Sequence, residues 1–85
     1  MRLDKFLKVS RLIKRRPVAQ LACRNERVLV NGKVAKPAYQ VKVGDIITLR
    51  APDWEMTVEV LSLSTPQGAE EAMYRVLKME RKEEE

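Results

Sequence analysis

The chain has 85 residues, with 17 Lys and Arg against 12 Asp and Glu, a single cysteine and no histidine. This length holds one domain with a thin core. A lone cysteine excludes an internal disulfide and, without histidine, leaves no ligand set for zinc, so neither a metal nor any other cofactor is expected. No run of about 18 apolar residues could cross a bilayer, and the basic start lacks the apolar stretch of a secretory signal, so a cytoplasmic setting with no membrane partner is expected.

The charge is uneven. Residues 1–50 carry 13 basic against 3 acidic side chains, whereas residues 51–85 carry 4 against 9. The first part has the composition of a polyanion-binding surface and the last part does not.

Leu3 to about Ser10 reads as an amphipathic helix, with Asp4 in the first turn, where the helix dipole favours an acid. At 100° per residue Arg2, Lys5, Lys8 and Arg11 step around one side, and Leu3, Phe6, Leu7 and Ile13 fall on another. Arg11 to Arg16 forms a cationic connector. Pro17 suits the first turn of a second helix, where a missing N–H costs nothing. Val18, Leu21 and Ala22 are expected to be its apolar stripe, Cys23 to lie in the core, and Asn25 to mark its end.

Val28 to Val30 reads as a strand, Asn31-Gly32 as a hairpin turn, and Lys33 to Ala35 as the returning strand. Lys36-Pro37 breaks the pattern. Tyr39, Val41 and Val43 alternate as a short strand, Gly44-Asp45 turns, and Ile46 to Arg50 and Glu55 to Leu63 give two further strands separated by Pro52-Asp53. Pro66 to Gly68 reads as a loop and Ala69 to about Met73 as helical. Tyr74 to Met79 fits either a continuing helix or an edge strand, and Arg81 to Glu85 reads as a charged tail. The expected fold class is α+β, with two N-terminal helices packed on a small, mostly antiparallel sheet. Residues 1–65 form the domain, and 66–85 form a C-terminal extension.

Several separated elements occur in order: Met1-Arg2-Leu3-Asp4-Lys5-Phe6-Leu7, then Arg11, then Val28, Val30-Asn31-Gly32-Lys33, Lys36-Pro37 and Val43-Gly44-Asp45 with Ile47. Together they closely resemble the S-four RNA-binding domain. The Arg-Arg before the second helix and Ala69, Ala72, Met73 and Tyr74 look most like the stand-alone ribosome quality-control factors of the RqcP type, relatives of heat-shock protein fifteen. One departure stands out: Glu26 occupies a position where that family commonly has Gly, leaving Asn25 as the candidate for a left-handed conformation.

The resemblance implies an RNA surface built from the two helices and the loop entering the first strand, carried by Arg2, Lys5, Lys8, Arg11, Lys14, Arg15 and Arg16, with Lys33 and Lys36 as secondary contacts. Arginine's planar fork suits phosphate, and the start of the second helix adds its own positive end. Asp4 is expected to partner an arginine or the helix dipole rather than to act as a catalytic acid. Nothing in the chain reads as a nucleophile–base pair or a phosphate-cradling glycine loop, so no enzyme activity is expected. The implied setting is the free large ribosomal subunit. There the chain contacts rRNA and peptidyl-tRNA and supports C-terminal alanine tailing, beside an alanine-tailing partner protein. The chain itself is expected to be a monomer. The alternatives are recycling of obstructed large subunits without tailing, and a protein-interaction module using the acidic half and Trp54.

Overall fold

The computed structural model describes residues 1–64 and 72–81. Helix α1 spans Leu3–Val9 and helix α2 spans Arg16–Arg24. They pack beside an antiparallel sheet of five strands, β1 (Val28–Val30), β2 (Lys33–Val34), β3 (Ile46–Arg50), β4 (Trp54–Val60) and β5 (Tyr74–Arg81), arranged β2-β1-β3-β4-β5. The α+β architecture agrees with the sequence reading.

Periodicity explains the core. Leu3, Phe6 and Leu7 recur at helical spacing and are fully buried. Val28, Val30, Ile47, Leu49, Val58 and Val60 alternate on three adjoining strands and meet them from the sheet. The opposite face pairs Thr48 with Thr57, whose hydroxyls lie 3.4 Å apart.

The Asn31-Gly32 turn is as expected. Val30 pairs with Lys33, and the two central residues have φ of 52° and 83°, the positive pair that a tight hairpin requires. Asn31 also ties this hairpin to the next turn. Its side-chain amide donates to Asp45 Oδ1 at 3.1 Å, and its Oδ1 accepts the Ile46 N–H at 3.0 Å. Asp45 is buried and also accepts the Tyr39 hydroxyl and the Lys42 N–H. Burial pushes its pKa up, but these bonds from Lys42, Asn31 and Tyr39 outweigh it and hold the carboxyl below its ordinary range.

Several expectations need correction. Tyr39 to Val43 is not a strand. The segment crosses the start of α1 instead: Leu3 N–H donates to the Tyr39 carbonyl, Val41 N–H donates to the Met1 carbonyl, and Arg2 bridges Gln40. Its alternation does not define one face, because Val41 is buried while Val43 is exposed. On α2, Ala19 and Cys23 face the core, whereas Val18 and Leu21 stand exposed. Val18, Leu21 and Ala22 share an apolar face that the fold leaves largely open, whereas Ala19 and Cys23 join the core where α2 packs on α1.

At the end of α2 it is Glu26, not Asn25, that adopts the left-handed conformation, with φ 60°. The Glu26 N–H donates to the Cys23 carbonyl and the Arg27 N–H to the Ala22 carbonyl, the double bond of a Schellman end. Finally, Tyr74 to Arg81 is an edge strand, and Ala72 and Met73 lead into it without helical structure. Met73 is buried, and its carbonyl accepts the Leu61 and Ser62 N–H groups, which ends β4 at Val60 rather than Leu63. Arg81, expected to open the charged tail, closes β5 and pairs with Trp54, while the rest of that tail, the loop expected at 66–68 and the start of the helix expected at Ala69 lie outside the described residues.

Candidate RNA-binding surface

Two of the basic residues in the first sixteen, Arg2 and Arg16, converge on one buried acid. Asp4 is fully buried in the first turn of α1. Arg2, at the N-cap of α1, donates to both of its oxygens, Nε to Oδ1 at 3.1 Å and a terminal nitrogen to Oδ2 at 3.2 Å. Arg16, the first residue of α2, reaches the same carboxylate at 3.4 Å. Gln20, one turn further along α2, donates to Oδ2 at 3.0 Å, and the Lys5 backbone N–H donates to Oδ1 at 2.8 Å.

Burial alone would raise the Asp4 pKa. The bonds from Gln20, Arg2, Arg16 and the Lys5 N–H more than offset that cost and bring it to about 2. The carboxylate is therefore ionised at every pH at which the protein works, and it holds two guanidinium groups from different helices side by side. Each arginine remains roughly half exposed. A guanidinium has five N–H donors in a planar fork. Asp4 occupies one edge of Arg2 and leaves the outer edge free for a planar anion. The pair plus one acid keeps a local excess of positive charge, at a helix start that has no acid of its own in its first turn.

The other cations fall into separate groups. Lys8, Arg11 and Lys14 line a shallow depression with Val9. Arg11 follows α1 in the left-handed conformation, with φ 65°, and is exposed. Lys33 and Lys36 line another depression with Asn31 and Tyr39, and Lys36 also borders the C-terminal end of α2 beside Cys23 and Arg24. Lys5 and Arg15 are exposed, the latter at the N-cap of α2, and neither makes an ion pair among the described residues. Of the nine candidates, Arg2 and Arg16 are held together by Asp4, and the others make no ion pair among the described residues.

Asp4 as an arginine partner agrees with the sequence reading. Gln20 was not foreseen, although its spacing four residues after Arg16 places it on the same side of α2. The Cys23 thiol is buried, and that burial, with the charge of Asp4, pushes its pKa up to about 11, leaving an inert apolar filler. No group of three or more potential metal ligands exists among the described residues.

Two close-packed helices presenting paired arginines beside a small antiparallel sheet define an RNA-binding module of the S4 type, and the S4 domain pattern matches residues 1–47. The chain belongs to the S4 domain family, and its full-length relatives carry the name RQC P-site tRNA stabilizing factor. One such protein, from Halalkalibacterium halodurans, is 49% identical over 82 residues, covering 94% of this chain and 93% of its own. Another, from Bacillus subtilis, is 48% identical over 83 residues, covering 95% and 96%. Among solved structures, trimeric heat shock protein 15 of Vibrio cholerae superposes with a TM-score of 0.77 at 39% identity, covering 89% of this chain and 80% of that one.

Proposed function

We propose that the chain is a non-catalytic, cytoplasmic factor of ribosome-associated quality control. It binds the free large ribosomal subunit that still carries peptidyl-tRNA, touches both rRNA and tRNA, and supports alanine tailing of the stalled chain by a partner protein. The observation that carries this reading is the Arg2–Asp4–Arg16 cluster on an S4 scaffold, in a chain whose full-length relatives are named for stabilising a P-site tRNA. The cluster fixes two phosphate-binding forks at a set separation, so that RNA is met by preorganised donors instead of flexible ones. Lys5, Lys8, Arg11, Lys14 and Arg15 then extend the field along the backbone, and Lys33 and Lys36 reach a second segment. Recognition rests on shape and phosphate, because structured RNA hides its base edges in a deep groove.

Positive proteins adhere weakly to any RNA, so selectivity is the test. The chain should co-sediment with large subunits carrying peptidyl-tRNA in preference to intact ribosomes or small subunits. The Arg2→Ala/Arg16→Ala double variant should lose that peak, and cells lacking the protein should lose alanine tails on stalled chains. Distribution across all fractions in proportion to RNA content, with tailing intact, would reject the proposal. A second reading, recycling of obstructed large subunits without tailing, is favoured by the likeness to heat shock protein 15. It predicts the same sedimentation but unchanged tailing.

A further inference from the structure

The outer flank of α2 carries an apolar face that the fold does not bury. Val18 and Leu21 are 51% and 57% exposed. With Ile13, Ala22, Pro52 and Trp54 they line an open groove of about 380 Å³ between α2 and the turn joining β3 to β4. Val18, Leu21, Ala22 and Asn25 follow the spacing i, i+3, i+4, i+7, so the face runs along the helix. At 100° per residue it lies about 170° around the axis from Arg16 and Gln20, which turn towards Asp4. An occupant of the groove therefore does not compete with a ligand of the arginine pair.

The lining selects the occupant. A nucleobase would bring hydrogen-bonding edges against Ile13, Val18, Leu21 and Ala22, where most would go unpaired. Aliphatic or aromatic side chains face no such cost. A groove running along a helix is best filled by a second helix, whose side chains three and four apart interlock with its own. The polar groups at the mouth are Asn25, Arg27 and Arg50. Arg50 is held by Glu55 at 3.1 Å, and Arg27 makes no ion pair among the described residues, so the rim has one positive charge unanswered.

We infer that this groove docks an amphipathic helix of another protein, with apolar residues seated on Leu21 and Trp54 and an Asp or Glu at its edge facing Arg27. The inference rests on the large-subunit reading only for where that partner is met. The arginine pair holds RNA on one flank of α2 while the other flank holds protein, so one short helix couples the two.

The test is site-specific photocrosslinking in cells expressing the full chain, with benzoylphenylalanine at position 21. Irradiation should give an RNase-resistant adduct whose peptide map shows a helical segment with apolar residues three or four apart and Asp or Glu beside them. With the crosslinker moved to position 18, Leu21→Glu should cut that adduct at least tenfold, while RNA affinity of the purified variant stays within twofold. Val18→Glu, with the crosslinker at 21, repeats the measurement through a second exposed position. An RNase-sensitive adduct, no adduct, or a mapped segment lacking the acidic amphipathic pattern would overturn the inference. The expected adduct found away from large-subunit fractions would uphold the groove and reject the large-subunit reading instead.

Discussion

Replacing Asp4 with Asn tests the cluster directly, because the side chain keeps its shape and loses its charge. The carboxylate accepts from Arg2, Arg16, Gln20 and the Lys5 N–H and is fully buried. Its pKa falls from 3.8 to about 2 on folding, and each unit corresponds to about 1.4 kcal/mol, so the ionised form stabilises the fold by about 2 kcal/mol. An amide can accept through only one atom. It turns its NH2 towards a guanidinium and leaves the buried Arg16 Nε facing no anion. Removing one partner of a buried pair costs about 3–5 kcal/mol, and the half-exposed arginines here place the loss nearer about 2–3 kcal/mol. The sign with pH follows from the depressed pKa. The contribution is fully present above the unfolded value, and it is lost as the pH falls through the folded value. Urea melts of wild type and Asp4→Asn should therefore differ most near neutrality, with the gap closing as the pH is lowered from about 5 towards 2. Asp45 also has a depressed pKa, but it is common to both proteins and cancels in the difference. An equal gap at pH 6 and at the acid limit, or no gap at neutrality, would refute the account of Asp4 as an ionic clamp.

Three further outcomes are expected. RNA binding measured by fluorescence anisotropy should weaken with salt at a slope of log K against log salt of roughly −4 to −7, as follows from neutralising six to eight phosphates; a flat response would contradict phosphate binding. Arg16→Ala should cost about 1–3 kcal/mol of RNA affinity and also lower the melting temperature, because its guanidinium reaches a buried carboxylate, whereas Lys78→Ala on β5 should leave RNA affinity unchanged. Equal losses from both would misplace the surface. Glu26→Gly should stabilise the fold by about 0.5–1 kcal/mol in a thermal melt, since it relieves a left-handed non-glycine residue while loosening the unfolded chain.

The local signals that act through the backbone were readable from sequence. Pro17 placed the start of α2, Asn31-Gly32 placed the hairpin, and the spacing of Leu3, Phe6 and Leu7 placed the buried face of α1. What failed depended on partners distant in the chain. Tyr39 to Val43 alternates like a strand, yet its hydrogen bonds go to Met1 and Leu3, some forty residues away, and no local pattern announces that crossing. On α2 the apolar spacing of Val18, Leu21 and Ala22 marks a face, but spacing alone does not say whether a partner element covers it. Which side of α2 meets α1 and the core decides that question, and that side carries Ala19 and Cys23. Tyr74 to Met79 stayed ambiguous because an exposed edge strand carries mixed polar and apolar residues on both faces.

The same contrast applies to the cations. Composition locates the positive half of the chain but weights all of its cations alike, from Arg2 to Lys36. The structure makes them unequal, because a cation gains specificity only where something restrains it. An exposed lysine gives up side-chain entropy to each phosphate it meets and contributes mainly to a screened, long-range field. Arg2 and Arg16 have given up much of that freedom to Asp4, so on the proposed surface they would meet phosphate at a fixed separation and orientation. Under the proposed function, the acid that lowers the net charge of the surface is therefore what would make it selective. Converting Asp4 to a neutral residue would increase the positive field and still weaken discrimination among RNAs, an outcome opposite to that expected if charge alone governed binding.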